Sequence, residues 1–292
     1  MKSIVKQKNL LLVSFLFIPL LLMGVFVIYP SFQMIKLSFT DWNGSSASYN
    51  FVGLENYFSI LFKSPDVWGS LKNNFAYMFF GLALIPAETL IAVFLNSKLR
   101  GMNAFKSIIF LPYIINGVAI SYAFSFFYSP QNGGLNGILN VLGMGWARQN
   151  WLSNINIVNF SLVGVFLWRN FGFFVVLFIA GLQTIPQEII EAAIIDGANR
   201  RQQFIHVIIP NLTKVIEAVL FMNIIWSLNI FDIPFVMTSG GPGHASSTFS
   251  TYAIETAFNY NGFGMANAMS VVLMMIMIIF LILQNRILRL RK

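Results

Sequence analysis

Six apolar stretches divide this chain, and each has about the 20 residues that a helix needs to cross the hydrocarbon core of a bilayer. The stretches cover residues 10–29, 74–95, 108–128, 157–181, 215–236 and 263–283. Charged residues inside them are few: Glu88 in the second, Arg169 in the fourth, and Glu217 and Asp232 near the two ends of the fifth. The pattern predicts an all-α membrane protein with six transmembrane helices.

The first stretch follows Lys2, Lys6 and Lys8, which resemble the basic start of a signal peptide. Its apolar run exceeds the 7–15 residues of a signal-peptide core, and no small-x-small cleavage pattern closes it. We therefore expect a retained membrane helix.

Composition agrees with a membrane protein. The chain is 57% hydrophobic and 10% charged, whereas soluble domains average about 25% charged residues. The connections are too short for an independent soluble core, so we expect a single transmembrane domain over residues 1–292. There is no cysteine, which excludes disulfides and thiolate metal sites. His206 and His244 stand apart without ligand companions, so no metal site is predicted.

The distribution of lysine and arginine predicts the orientation of the six helices. Thirteen of these residues flank one set of helix ends and three flank the other. The larger set is Lys2, Lys6, Lys8, Lys98, Arg100, Lys106, Arg200, Arg201, Lys214, Arg286, Arg289, Arg291 and Lys292; the smaller is Lys63, Lys72 and Arg148. The positive-inside rule puts both termini and residues 182–212 in the cytoplasm. Because the charge follows helix ends rather than forming one patch, we expect no nucleic-acid partner.

Residues 182–212 form a polar island between the fourth and fifth apolar stretches. Pro186 suits the first turn of a helix, and Ala192 and Ala193 favour helix while letting another surface approach closely. Gly197 permits a sharp turn, and Pro210 precedes the next stretch. We expect a helix–turn–helix protrusion with small residues at its tip, whose second helix carries Arg200, Arg201, Phe204 and Ile205. The alternative is an amphipathic linker on the membrane surface.

This segment resembles the cytoplasmic coupling loop in permease subunits of binding-protein-dependent ABC importers. Other parts of the chain resemble carbohydrate-uptake permeases of the MalF or UgpA type, and the resemblance covers nearly the whole chain. The motifs that carry it are Gln183 with Pro186, the triplet Glu191, Ala192 and Ala193, Gly197, Pro210, residues 51–57, Phe231 with Asp232 and Pro234, and residues 238–242.

The resemblance implies a permease subunit of an ATP-driven importer in a bacterial or archaeal plasma membrane. It implies these ATPase-coupling residues in residues 182–212, called the coupling loop below: Glu191, Ala192, Ala193, Asp196, Gly197 and Ala198. Implied partners are a second, MalG-like permease, two ABC ATPase subunits, an extracytoplasmic solute-binding protein, membrane lipid and a carbohydrate, either an oligosaccharide or a related polyol. The chain itself should need no cofactor, because ATP and Mg²⁺ belong to the partner ATPase.

Polar and aromatic residues inside the fourth and fifth helices are candidates for contact with solute, because intramembrane polar groups should face protein or water. They are Arg169, Asn170 and Phe173 in the fourth helix, and Asn223, Trp226, Ser227 and Ile230 at the spacing of one helix face in the fifth. An aromatic ring beside amides suits a sugar. Helix–helix hydrogen bonding is the alternative. Arg169 either faces solute, which would favour an acidic sugar, or pairs with Glu88.

Two other classes of protein fit less well. An enzyme would need catalytic residues, and the sequence has no phosphate-binding loop and no catalytically spaced pair of carboxylates. An ion-coupled secondary carrier would need a chain of intramembrane acids, whereas Glu88, Glu217 and Asp232 are scattered. Asp232 and Pro234 mark either a hinge or the stop of the fifth helix.

Overall fold

The computed structural model describes residues 2–97 and 101–289, and helices form most of it. Within these ranges the β pairing consists of one isolated bridge between Thr40 and Phe51. The predicted helical class is therefore confirmed. Four residues that enter the orientation argument, Lys98, Arg100, Arg291 and Lys292, lie outside the described ranges.

The helices follow one another along the chain, and the two longest connections are residues 38–54 and 142–157. They are α1 (Lys2–Met23), α2 (Tyr29–Leu37), α3 (Glu55–Phe62), α4 (Pro65–Leu95), α5 (Met102–Ile114), α6 (Gly117–Phe127), α7 (Gly134–Val141), α8 (Val158–Leu182), α9 (Gln187–Ile195), α10 (Arg200–Gln202), α11 (Ile209–Asn211), α12 (Thr213–Leu228), α13 (Asp232–Thr238), α14 (Phe249–Phe258) and α15 (Phe263–Arg289). Two π-helical turns, Gly24–Ile28 and Gln203–Ile208, join α1 to α2 and α10 to α11.

Five spans in the described ranges are long and apolar enough to cross a membrane: Leu11–Leu37, Pro65–Leu95, Val158–Leu182, Thr213–Thr238 and Phe263–Ile287. A sixth forms if α5 and α6, which meet at an angle of 95°, count as one broken span. The structure thus supports five or six spans. The apolar side chains of the first are almost all exposed, as expected for a helix whose solvent is lipid.

The third predicted span, residues 108–128, is wrong as a straight helix. Ile115 leaves the helical region with φ −70° and ψ 137°. Asn116 then caps α6, its side chain accepting a hydrogen bond from the backbone N–H of Val118 at 2.9 Å. Asparagine at an N-cap satisfies a donor that the first helical turn leaves free, so the chain can start a new helix in a new direction.

The fifth predicted span, residues 215–236, is also interrupted, because α12 ends at Leu228 and α13 begins at Asp232. The break frees backbone carbonyls, and two distant side chains satisfy them. Asn74 Nδ2 donates to the carbonyls of Ser227 and Leu228 at 2.8 and 3.1 Å. Thr248 Oγ1 donates to the carbonyl of Ile230 at 2.8 Å. Asp232 therefore starts a helix, so of the two alternatives for this residue the helix stop is wrong, while the hinge stays a prediction.

Two compact units make up the chain. One comprises Met1–Ser64 with Ala253–Met275, and the other Pro65–Tyr252 with Ile276–Lys292. In the first unit, Asn56 Nδ2 donates to the carbonyls of Ser38 and Thr40, each at 2.9 Å. Gly264 packs directly against the Thr40 carbonyl, where a side chain would not fit. The single domain over residues 1–292 stays a prediction.

The second unit has its core around α8. Phe174, Val175 and Phe178 of α8 are almost completely buried, together with Ala92 of α4 and Val219 of α12. Close contact between α5 and α8 depends on Gly172, because a Cβ at this position would overlap the backbone carbonyl of Ile109. The same packing brings Arg169 of α8 next to the first residues after both breaks, Gly117 and Asp232.

Candidate solute cavity and coupling loop

A cavity of about 420 Å³ lies where α5, α8 and the break after α12 meet. Ligand pockets in proteins typically measure about 300–1,000 Å³, so a small solute group fits. Its wall combines aromatic, amide and charged side chains: Tyr113, Phe166, Arg169, Asn170, Trp226, Asn229, Ile230, Phe231 and Asp232.

An ion pair between Arg169 and Asp232 forms one side of this cavity. Arg169 Nη1 donates to Asp232 Oδ2 at 2.5 Å, and the two side chains are 22% and 29% exposed. The predicted pair of Arg169 with Glu88 is therefore wrong. The reason is the helix break, which turns Asp232 towards α8. Glu88 is 2% exposed, and its Oε2 has no hydrogen-bond partner among the residues that the structure describes.

Aromatic rings from three helices pack together at the cavity. The ring centroids of Tyr113 and Trp226 lie 5.9 Å apart, with an interplanar angle of 17°. Phe173 contacts both rings, with centroid distances of 4.5 Å to Tyr113 and 5.1 Å to Trp226. Phe174 packs on the Trp226 ring at 5.3 Å. The packing holds the rings of Tyr113 and Trp226 in place in the cavity wall.

Two amides add hydrogen-bonding groups to the wall. Asn170 is buried, and its Nδ2 donates to the carbonyl of Phe166 at 2.8 Å. Asn229 is exposed and lies in the break after α12, where its Nδ2 donates to the carbonyl of Ile225 at 3.1 Å. Amides and aromatic rings in one wall suit a ligand with both hydroxyl groups and C–H faces.

The structure brings together four of the seven predicted solute-path residues, namely Arg169, Asn170, Trp226 and Ile230. Phe173 lies behind the wall and supports Trp226.

Asn223 and Ser227 do not line the cavity. Both are almost fully buried, at 1% and 0% exposure. The Asn223 amide fills the space above Gly81 of α4, and Ser227 Oγ donates to Asn223 Oδ1 at 3.5 Å. They fit the alternative of helix–helix contact. The four residues predicted on one face of the fifth helix cover an arc wide enough to touch both α4 and the cavity.

Sequence reasoning did not place Tyr113, Phe166, Asn229, Phe231 or Asp232 in this wall. One signal was present, because an acid within a span needs a partner and Asp232 was among the three acids available to Arg169. Phe166 lies inside α8, and the other three lie at the two helix breaks. Tyr113 is in the last turn of α5, and Asn229 and Phe231 lie in the break after α12.

The coupling loop begins with a short helix, α9, that has no buried residue. Glu191, Ala192, Asp196 and Gly197 are exposed, while Ala193 and Ala198 are half-buried. Pro186 stands at the N-cap, one position earlier than predicted. The ends of the loop are anchored in the apolar core, where Ile185 is 9% and Leu212 0% exposed.

Gly197 and the second half of the coupling loop determine its shape. Gly197 has φ +81°, which glycine adopts without strain. Asn199 and Gln202 form a capping box at the start of α10. The predicted second helix is present as a continuous helical segment over residues 200–211, and its middle, Gln203–Ile208, is π-helical between two three-residue α-helical turns. Pro210 follows the π-helical turn. Because it has no N–H to donate and its ring crowds the preceding turn, a widened turn fits there.

Residues 10–291 match the family described as "Binding-protein-dependent transport system inner membrane component". The chain belongs to this family. It is 33% identical over 278 residues to the "Multiple sugar-binding transport system permease protein MsmF" of Streptococcus mutans, covering 94% of this chain and 93% of the relative. It is 34% identical over 259 residues to the "Arabinooligosaccharides transport system permease protein AraP" of Bacillus subtilis, covering 87% and 81%.

A solved structure has the same fold. It is described as the "Crystal structure of a bacterial ABC transporter involved in the import of the acidic polysaccharide alginate", with a TM-score of 0.82 at 20% identity, covering 97% of this chain and 96% of that one. The resemblance to carbohydrate-uptake permeases is thus confirmed. The family makes the chain a multi-pass inner-membrane component of a transport system, which disfavours the ion-coupled carrier.

Proposed function

We propose that this chain is one permease subunit of an ATP-driven importer that moves an oligosaccharide or related polyol across the plasma membrane. The observation that carries the proposal is the cavity, in which aromatic rings, amides and an ion pair from α5, α8, α12, α13 and the break after α12 converge. The relatives named for multiple sugars and for arabinooligosaccharides support a carbohydrate as the solute.

The chain works in an assembly with other subunits. The partners are a second homologous permease, two ABC ATPase subunits and an extracytoplasmic solute-binding protein; the last agrees with the family description. The chain has no catalytic residues and holds no cofactor, because ATP and Mg²⁺ are bound by the ATPase subunits. Both termini and the coupling loop are cytoplasmic, as the lysine and arginine distribution supports.

The coupling loop transmits movement of the ATPase subunits to the helices. Its small residues Ala192, Ala193 and Ala198 let a partner surface approach, while Glu191 and Asp196 are polar contacts at its rim. Gly197 sets the turn between its two halves. Because Ile185 and Leu212 are buried at its two ends, a push on the loop reaches α8 and α12 directly. ATPase closure then changes which side of the membrane the cavity faces.

Reconstituted transport tests this function. The chain is placed in proteoliposomes with the permease, ATPases and binding protein encoded by neighbouring genes. Uptake of radiolabelled arabinotriose, maltotriose and raffinose is followed with ATP and with a non-hydrolysable analogue. We expect ATP-dependent uptake of at least one of these neutral sugars. Uptake driven by an ion gradient in liposomes that lack the ATPases would refute the proposal.

Crosslinking tests the coupling loop separately. The chain contains no cysteine, so Ala192→Cys introduces one unambiguous attachment point on an exposed residue. In the active assembly this cysteine should crosslink to an ATPase subunit. Ser45→Cys, at an exposed position in the predicted extracytoplasmic loop, is the matched control and should not. Equal crosslinking from both positions, or none from Ala192→Cys, would contradict the coupling role.

A further inference from the structure

The cavity has a charge balance that the sequence does not reveal. We propose that Asp232 is an internal counter-ion for Arg169 and that it makes the cavity select uncharged sugars over acidic or amino sugars. This inference rests on the proposed function, because it requires that sugar enters the cavity.

Arg169 and Asp232 carry the formal charges among the residues that line the cavity, and the charges are opposite. Their side chains are in direct contact and less than a third exposed. A ligand carboxylate would have to displace Asp232 from Arg169 or enter without a counter-ion. Both are unfavourable, because each leaves one charge of a partly buried ion pair without its partner. The same holds for an ammonium group, which would compete with Arg169 for Asp232.

The position of Asp232 is fixed from several sides. Its Oδ2 accepts from Arg169, and its Oδ1 accepts from the backbone N–H of Ile233 at 3.0 Å. The pair packs against Gly117, the first residue of α6, where any Cβ would overlap both Asp232 Oδ2 and Arg169 Nη1. Asn74 holds the carbonyls just before the break. The counter-ion is therefore part of the folded wall, and Arg169 is not a free cation.

The remaining chemistry of the wall suits a neutral sugar ring. A guanidinium has five N–H donors, and the ion pair engages Nη1, so Arg169 keeps donors for hydroxyl oxygens. Asn170 and Asn229 supply amides, and Tyr113 and Trp226 supply ring faces for C–H groups. Arg169 alone favours an acidic sugar in the sequence, and its pairing with Asp232 reverses that expectation.

Binding to the full-length chain in lipid nanodiscs tests the inference. Three probes share one ring and differ in charge at neutral pH: methyl glucoside (neutral), methyl glucuronide (anionic) and methyl glucosaminide (cationic). Affinities are measured by saturation-transfer difference NMR titration. Wild type should bind the glucoside about tenfold or more tightly than either charged probe. A tenfold difference in affinity corresponds to about 1.4 kcal/mol.

Two variants should change this ranking in opposite directions. Asp232→Asn frees the charge of Arg169 and should raise glucuronide affinity by about tenfold, and Arg169→Gln frees Asp232 and should raise glucosaminide affinity similarly. Asp66→Asn, on an exposed residue at the start of α4, is the matched control and should leave the ranking unchanged. Each variant is analysed only if it elutes as a single folded species. One folded variant, Asp232→Asn or Arg169→Gln, is enough to test the counter-ion role.

The outcomes separate the inference from the proposed function. A wild-type chain that prefers either charged probe overturns the inference, whatever the variants do. Retention of the wild-type ranking in a folded Asp232→Asn or Arg169→Gln chain also overturns the inference. Binding of the glucoside in that case leaves the proposed function in place. Failure of wild type to bind any of the three probes would remove the sugar-binding role of the cavity, and the inference with it.

Discussion

The cavity wall and the coupling loop are both polar interruptions of an apolar chain, yet their polar groups find partners in different ways. In the wall, Asp232 contacts Arg169, and a distant amide, Asn74, caps the broken helix. In the coupling loop, α9 has no buried residue, and Gln187 Nε2 donates to Glu191 Oε1 at 2.7 Å within the same exposed turn. The wall is thus completed by its own fold, whereas the coupling loop leaves its polar surface exposed.

This difference implies different responses to substitution. A change in the wall should alter both the stability of the fold and solute selection, because buried polar groups that lose a partner stay buried. A change in the coupling loop should affect transport with little effect on stability, because exposed groups that lose a contact are solvated by water.

Asn74→Ala should have the largest effect on stability. Asn74 is 0% exposed; its Nδ2 serves the carbonyls of Ser227 and Leu228, and its Oδ1 accepts from the backbone N–H of Phe249 at 2.8 Å. Removing the amide leaves these three backbone groups buried without their hydrogen bonds to Asn74, at a cost of about 2–4 kcal/mol. The thermal unfolding midpoint in detergent measures the loss. Asn140→Ala, on an exposed residue, is the control, and equal midpoints for the two variants would contradict the assignment.

Gly172→Ala should destabilise the chain by about 1–3 kcal/mol, as overpacking does. Its Cβ would meet the backbone carbonyl of Ile109, so α5 and α8 would have to separate. Gly69→Ala is the matched control, because Gly69 also lies inside a helix and has nothing within 4 Å of the added Cβ. That variant should gain about 0.5–1 kcal/mol from helix propensity. Both are measured by unfolding, and opposite signs are expected.

Gly117→Ala tests the wall without altering any charge. The atoms that obstruct the added Cβ are the ends of the Asp232 and Arg169 side chains, which can shift only by disturbing their ion pair, whereas at Gly172 the obstruction is backbone. The cost in stability should therefore be smaller than at Gly172, about 1–2 kcal/mol. The displaced ion pair should reduce sugar uptake in the reconstituted importer. Normal uptake together with a normal unfolding midpoint would show that the pair does not need this close contact.

Gly197→Ala should have the smallest effect on stability and a large effect on transport. Alanine at φ +81° is strained by about 1–2 kcal/mol, but the loop can yield locally, so the global free energy of unfolding should fall by less than about 0.5 kcal/mol. ATP-driven uptake should fall about tenfold or more if the turn transmits force. Gly197→Asn is the control, since asparagine tolerates this region better. Full uptake in the alanine variant would mean that the turn geometry is not needed for coupling.

Some features of the structure could be predicted from the sequence and others could not. Uncharged runs predicted the spans, since a span of about 20 apolar residues is a local property. The turn at Gly197 was predicted for the same reason, because its positive φ depends on the residue itself. Arg169 was identified as facing solute or pairing with Glu88, whereas its partner in the structure is Asp232, because the fold and not the sequence decides which acid lies beside it.

The sequence by itself determined that the chain is helical, that it crosses a membrane several times, and where its polar segments interrupt the apolar ones. Tertiary structure decided how those segments are used. The breaks after α5 and α12 exist because Asn116, Asn74 and Thr248 satisfy backbone groups that a straight helix would satisfy itself. Two of these three lie far along the chain from the break they serve. Hydrophobic length is encoded locally, whereas the partner of a buried polar group depends on which helices the folded chain brings together.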